Sequence, residues 1–230
     1  MSILSRISAS GAVLFFLAGP AAASVANPVV VELFTSQGCS SCPPANANLA
    51  ALAGRPGILA LSFGVTYWDK LGWKDTFAQP QFTARQVSYE RRLGHDAPFT
   101  PQVVVNGSAD VVGSRASDIA HLVSLAHLDA APALSIDGDT LVVGAGRSVV
   151  RDADIWLVRY DPRVLEVPVA GGENEGVTLP HRNVVRGFSR LGTWSGRAEH
   201  FAITPATGGL ATAVLVQDPG GGPILAAYMQ

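Results

Sequence analysis

The sequence predicts an α/β domain followed by an all-β, sandwich-like domain, and three observations carry that prediction. Between residues 27 and 131, buried-type β-branched runs alternate with helical segments, the pattern of a sheet layered with helices. From 132 to 230 the helices stop, and short strand-like runs recur at 133–136, 140–143, 153–160, 164–169, 184–188, 198–203, 213–217 and 224–228. Turn chemistry punctuates those runs, most clearly at Asp137-Gly138-Asp139 and at Asp218-Pro219 with Gly220, Gly221 and Gly222.

Within the first domain, residues 29–35 (VVVELFT) read as a strand buried on both faces. Ser36-Gln37-Gly38 breaks it, Cys39-Ser40-Ser41-Cys42 follows, and Pro43-Pro44 opens a helix over 45–53 that Gly54 ends. Proline suits a first helical turn, where amides lack intrahelical partners. A second strand at 58–65, an aromatic stretch from Tyr67 to Asp75 and a helix over 81–93 come next. Thr100-Pro101 leads into a strand at 102–105, and Asn106-Gly107 signals a hairpin to 110–112. Ser114 can cap a last helix over 116–127.

Composition narrows the function classes. The chain has 230 residues, 48% hydrophobic and 15% charged, enough for a packed core. Its 16 basic and 18 acidic residues leave a formal charge of −2, so no electrostatic footprint for nucleic acid or an anionic membrane is present. Residues 1–26 read as a secretory signal peptide: Arg6 precedes an apolar stretch at 11–19, and Ala21-Ala22-Ala23 offers an A-x-A cleavage site, with Ala26 as a second candidate. The apolar stretch is short for a membrane span of about 20 residues. Cleavage would leave no stable membrane anchor and place the protein in a periplasmic or secreted, oxidising setting.

The sharpest signal is the cysteine pair, since Cys39 and Cys42 are the two cysteines of the chain. At a helix start, i and i+3 bring two sulfurs within disulfide reach. The helix dipole and the amides of Ser41 and Cys42 can stabilise a Cys39 thiolate. Cys39 is expected to face solvent and attack; Cys42, one turn in, is expected to be buried and to resolve the mixed disulfide. An inert disulfide is the plainer alternative, but a bridge closing four residues removes little unfolded-state entropy. A structural zinc site lacks its second ligand pair.

VELFTSQGCSSCPP, followed later by FTPQVVVNG, resembles the thioredoxin fold. More closely the chain resembles a secreted thioredoxin-like family of unknown function (domain of unknown function 1223 type). That likeness extends through YWDKLGWKD, DIWLVRYDP and HRNVVRGFSRLGTW. The resemblance implies a cis-proline at Pro101 opposite the cysteines, with Thr100 shaping a groove for the substrate peptide. Gly38 and the Ser40-Ser41 dipeptide depart from the usual thioredoxin residues, so the direction of electron flow is left open. Glu32 lies one residue farther from the cysteines than the buried acid of thioredoxins, which takes the resolving thiol's proton. It is a candidate for that role, or alternatively an outward-facing or Arg-paired carboxylate, since a one-residue offset turns a side chain to the other face.

Further candidates surround this motif. Tyr67, Trp68, Asp69 and Trp73 follow the second strand and could wall a substrate site, Trp68 above all, or simply seal the core. His95 could join both thiolates in a Cu(I) site. The acidic loop from Gly171 to Gly176 could touch the redox face or run solvated. Asn106-Gly107-Ser108 matches a glycosylation sequon, and common hydrolase and nucleotide motifs are absent.

The sequence thus leads to a thiol–disulfide oxidoreductase exchanging a Cys39–Cys42 disulfide with protein or small thiols. It would use no organic cofactor and no metal, and would need a redox partner. A secreted Cu(I) chaperone and a non-enzymatic interaction module are the alternatives.

Overall fold

A computed structural model describes residues 25–128, 132–147 and 151–230. In chain order the elements are β1 (Val25–Ala26), β2 (Val29–Thr35), α1 (Pro43–Leu52), β3 (Ile58–Gly64), α2 (Pro80–Leu93), β4 (Gln102–Val105), β5 (Ala109–Val112) and α3 (Ala116–Leu125). Then follow β6 (Leu134–Asp137), β7 (Thr140–Val143), β8 (Ala153–Pro168), β9 (Thr178–Trp194), β10 (Glu199–Ala202), β11 (Ala211–Gln217) and β12 (Ile224–Met229). Short 3-10 turns occupy Asp69–Leu71 and Gly172–Asn174. Of the expected signal peptide, residues 1–24 lie outside the described residues, and Val25–Ala26 at its end form β1. No helix among the described residues is long and apolar enough to cross a membrane.

Nine strands make one mixed sheet in the order β1-β12-β11-β8-β9-β3-β2-β4-β5, and three more make a second sheet, β10-β7-β6. The protein is therefore a mixed α/β molecule with a large central sheet and few helices. β2 runs parallel to β3 and antiparallel to β4, and β4 turns back into β5 through Asn106 (φ 47°) and Gly107 (φ 63°). Two successive positive φ values are what a tight hairpin asks for, and an Asn-Gly pair adopts them readily.

Period-2 alternation assigns each strand's residues to a layer. Val31 and Leu33 of β2 pack on Ala45, Leu49 and Leu52 of α1 and on Ile119 of α3. Val30 and Phe34 face the other way, into a cluster with Phe82 and Tyr89 of α2. β11 divides in the same manner: Ala213 and Leu215 join the α2 cluster, while Val214 and Val216 pack with Leu141 and Val143 of the three-stranded sheet.

Of the strands expected as a separate second half, β8, β9, β11 and β12 share this sheet. β8 and β9 form a long antiparallel hairpin, and β9 meets β3 in parallel at Ser62 and Val184. That ladder is short, and Asn183, whose backbone has φ 52°, donates through side-chain Nδ2 to the Ala60 carbonyl of β3 at 2.7 Å. The runs at 153–160 and 164–169 are one strand rather than two, because Asp161-Pro162-Arg163 is absorbed as a register shift. The Asp161 carboxylate takes bonds from the Arg163 amide and guanidinium at 2.6 to 3.1 Å, which stabilises the irregularity. At α3 the expected Ser114 cap is replaced by Arg115, without a side-chain capping bond.

Candidate functional site

β2 delivers the chain to the site. Its last residue is followed by Ser36-Gln37-Gly38 and then by Cys39, and Cys42 occupies the N-cap of α1. Pro43 and Pro44 fill the first helical turn, where no amide is needed. The loop before Cys39 is clamped by the aromatic stretch. Asp75 accepts from the Gln37 amide at 2.7 Å, the Trp73 indole donates to Gln37 Oε1 at 2.9 Å, and the Thr76 amide donates to that oxygen at 3.1 Å. Trp73 and Asp75 are thus part of the frame behind the cysteines.

Both cysteines are free and neither side chain is exposed. The expectation that Cys39 faces solvent is corrected: its exposure is 0%. A donor network surrounds its sulfur. The Ser41 hydroxyl lies 3.2 Å away and the Thr100 hydroxyl donates at 3.3 Å. The Cys42 thiol acts as a hydrogen-bond donor to Cys39 and is the largest influence drawing the Cys39 thiol from 9.0 down to about 6, with Ser41 and Thr100 helping against the cost of burial. The Cys42 amide, expected among these donors, bonds instead to the Cys39 carbonyl at 3.1 Å. Burial first, and then the adjacent Cys39, hold the Cys42 thiol far above its ordinary range.

Thr100 and Pro101 come together with the cysteines. Their peptide bond is cis, and the Gly113 amide donates to the Pro101 carbonyl at 2.8 Å. A Cβ added to Gly113 would lie 3.0 Å from Ala45 Cβ and 3.2 Å from Pro101 Cβ, a close approach at which a larger residue would need those neighbours to shift. Trp68 is also at the site, its indole donating to the Thr100 hydroxyl at 2.8 Å. Tyr67 lies near the thiols, and burial pushes its phenol up to about 12, which keeps it protonated at neutral pH.

Glu32 and His95 lie elsewhere. Glu32 shares the α2 face with Val30 and Phe34 and is fully buried there. Its carboxylate receives Arg85 Nε at 2.6 Å and Nη2 at 2.9 Å, and the Tyr89 hydroxyl also donates to it. The ladders of β2 carry no register shift that would turn Glu32 toward α1. His95 bonds through Nε2 to Asp110 at 2.8 Å and meets the Phe99 ring edge-on. Among the described residues, no three His, Cys, Asp or Glu side chains gather as a metal-binding set.

The acidic loop from Gly171 to Gly176, expected either to touch the redox face or to run solvated, takes the first course. The turn at Gly172–Asn174, between β8 and β9, lies against the cysteine loop. Asn174 Nδ2 donates to the carbonyls of Gln37 and Cys39 at 2.9 and 2.8 Å, and the Glu173 amide donates to the Gly38 carbonyl at 3.3 Å. In return the Ser40 amide and hydroxyl donate to Glu173 Oε2 at 2.9 and 2.7 Å. The Ser40 amide is the leading influence holding the Glu173 carboxyl below its ordinary range. The sequence signal for this contact is the Gly171-Gly172 pair, which marks a close backbone approach without naming its partner.

Together these features define a mixed α/β protein with a low-pKa thiol at a strand-to-helix junction. The chain belongs to the family described as "Protein of unknown function (DUF1223)", whose model matches residues 30–217. The crystal structure of protein AGR_C_4864 from Agrobacterium tumefaciens is similar at 30% identity and a TM-score of 0.73, over 87% of this chain and 92% of that one. HBP35 of Porphyromonas gingivalis has a similar fold at 14% identity and a TM-score of 0.54, over 89% of this chain and 74% of its own. No curated protein matches.

Proposed function

We propose that this protein exchanges a Cys39–Cys42 disulfide with protein or small-molecule thiols in a periplasmic or secreted setting. On this reading residues 27–131 form a thioredoxin-like domain, and residues 132–230 a β module that supports the site. The placement supports it: a cysteine pair between a buried strand and a helix, with β3 parallel to that strand and Thr100-Pro101 beside the sulfurs. The observation that carries the proposal is the unequal pair, with Cys39 drawn down to about 6 and Cys42 pushed up.

That inequality orders the chemistry. In the oxidising direction, a substrate thiolate attacks Cys39 Sγ and the Cys42 sulfur leaves, taking up a proton. A second substrate thiol then displaces Cys39, so two electrons pass from substrate dithiol to protein disulfide. In the reducing direction, the Cys39 thiolate attacks a substrate disulfide and expels one substrate thiolate. Cys42 then gives up its proton, attacks Cys39 Sγ and releases the second. In the mixed disulfide Cys39 carries no charge, so the electrostatic part of what raises Cys42 disappears at the step that needs its thiolate. Pro101 and Thr100 line the approach, and Trp68 orients Thr100.

The test equilibrates the mature protein across glutathione buffers from both the reduced and oxidised ends. Samples are quenched in acid, unfolded, and their free thiols counted by alkylation mass. Two thiols should be lost together over a defined potential range, the same from either end. A count independent of buffer ratio after approach from both ends overturns the proposal.

A further inference from the structure

We infer that segment 171–176 is a lid that must lift before Cys39 can react, so that it selects what reaches the thiol. The inference rests on Cys39 being the reacting sulfur, and it does not require the pair to equilibrate with disulfides. Cys39 has a depressed pKa yet no exposed surface, although Ser40 and Ser41 beside it are exposed. A thiolate that no solvent molecule touches cannot be attacked in line until something moves. Segment 171–176, a turn between β8 and β9 outside the strand ladders, rests directly on the backbone of Gln37, Gly38 and Cys39, and it is the part assigned to move.

Its attachments are local and polar. Asn174, itself buried, ties the carbonyls on either side of Gly38 together through one amide, and Glu173 closes the outer edge on Ser40. Backbone approaches complete the fit. A Cβ on Gly171 would fall 2.5 Å from the Gly72 carbonyl oxygen, and one on Gly172 would lie 3.4 Å from both the Gly38 Cα and the Trp73 Cβ. The lid therefore rests on the cysteine loop and on the 68–73 segment together. Gly172 and Gly176, at φ 73° and 81°, sit at either side of Asn174 in conformations that favour glycine.

No covalent change is needed to open it: breaking a few hydrogen bonds frees the turn, and a partner offering amide donors to the Gln37, Gly38 and Cys39 carbonyls would compensate the loss. Glu173 adds selection by charge, since its carboxylate stands at the rim that an anionic small disulfide would cross. A protein partner is the occupant this arrangement favours, as it can both displace the lid and replace its bonds.

The experiment measures alkylation of reduced full-length protein by iodoacetamide, with peptide mapping to assign the label. Wild-type Cys39 should react at least about tenfold more slowly than the same thiol in urea at matched thiolate fraction, as an opening step opposed by several hydrogen bonds requires. Asn174→Ala removes two of those bonds, and Gly171→Ala forces the lid off the Gly72 carbonyl by sterics alone. Each should accelerate Cys39 by about tenfold while Cys42 stays unlabelled. Glu173→Gln, at the exposed edge, should favour iodoacetate over iodoacetamide relative to wild type, and it serves if either other variant fails to fold. Overturning results are wild-type Cys39 as reactive as in urea, or lid variants at the wild-type rate with an unchanged charge preference. Labelling of Cys42 in step with Cys39 overturns it as well, because that pattern reports general loosening. A lid confirmed in this way alongside a thiol count that ignores redox buffer would leave the lid standing and remove the exchange function.

Discussion

The Trp68 indole donates to the Thr100 hydroxyl at 2.8 Å, which commits one lone pair of that oxygen and leaves its proton aimed at Cys39 Sγ, 3.3 Å away. A threonine hydroxyl can otherwise rotate. Held by Trp68, it supplies a fixed donor to a developing thiolate, so the indole acts on the sulfur through this hydroxyl.

Thr100→Val keeps the shape and deletes the donor, so the Cys39 thiol should rise from about 6 by about one pH unit, the worth of a hydrogen bond to a charged acceptor. Trp68→Phe should raise it by less, since the hydroxyl survives with its orientation freed. Ultraviolet thiolate absorbance across a pH series reads both. An unchanged Thr100→Val titration would assign the lowering to Cys42 and Ser41 alone.

The depressed Cys39 thiol also fixes a pH dependence of stability. Its folded value lies near 6 against an ordinary 9.0, so the contribution is fully present above 9.0 and is lost as pH falls through about 6. Cys42 runs oppositely: its folded value is raised, so its contribution holds below the ordinary range and fades above 9.0. Reduced protein should gain stability relative to oxidised protein between pH 6 and 9, then lose that gain at higher pH. Urea midpoints of the two forms, compared pH by pH, cancel every group that they share. A difference that stays flat from pH 6 to 9 contradicts the assigned thiolate.

Glu32 and Arg85 are predicted to matter for the fold and little for the sulfur. Glu32→Ala leaves the Arg85 guanidinium buried without its carboxylate, a loss of about 3–5 kcal/mol. The Cys39 titration should stay near its wild-type value, because the carboxylate lies on the α2 face. Urea unfolding and thiolate absorbance on the same variant separate the two readouts. A large pKa change with little loss of stability would return Glu32 to the proton-transfer role.

Export predicts a particular mature end. Cleavage after Ala23 retains Val25–Ala26, which pair with Met229 and Tyr228 of β12, whereas cleavage after Ala26 removes that edge strand. Intact mass of protein recovered from the periplasm or medium should match the form beginning at Ser24. Retention of residues 1–23 in recovered protein would contradict the leader.

Much of the site was readable where chemistry and local pattern coincide. The run VVVELFT, the Cys-x-x-Cys at a helix start and the Asn106-Gly107 hairpin each carry a local signature, and each lies where that signature put it, whereas the cis bond at Thr100-Pro101 was implied by the family resemblance and not by local pattern. Partners distant in the chain were not readable. Alternation says that Glu32 faces away from Val31, but not that Arg85 waits there, 53 residues on. Nothing local to Asn174 marks its bond to Cys39 across 135 residues. The break at Asp161-Pro162 looked like a turn because its residues favour turns, and only its long pairing with β9 carries the strand through. Local preference announces geometry; tertiary partners decide its use.

The β8–β9 hairpin has a practical consequence for anyone who would simplify this molecule. A fragment stopping near residue 131 retains both cysteines, the Thr100 hydroxyl and the three α-helices of the described residues. It lacks the neighbour of β3 and the turn that rests on Gly38. Its sheet would end in an open, apolar edge of the kind that recruits other chains, and its thiol would stand uncovered. Such a miniature would be sticky and over-reactive, and measurements made on it would overstate how readily the parent gives up its electrons.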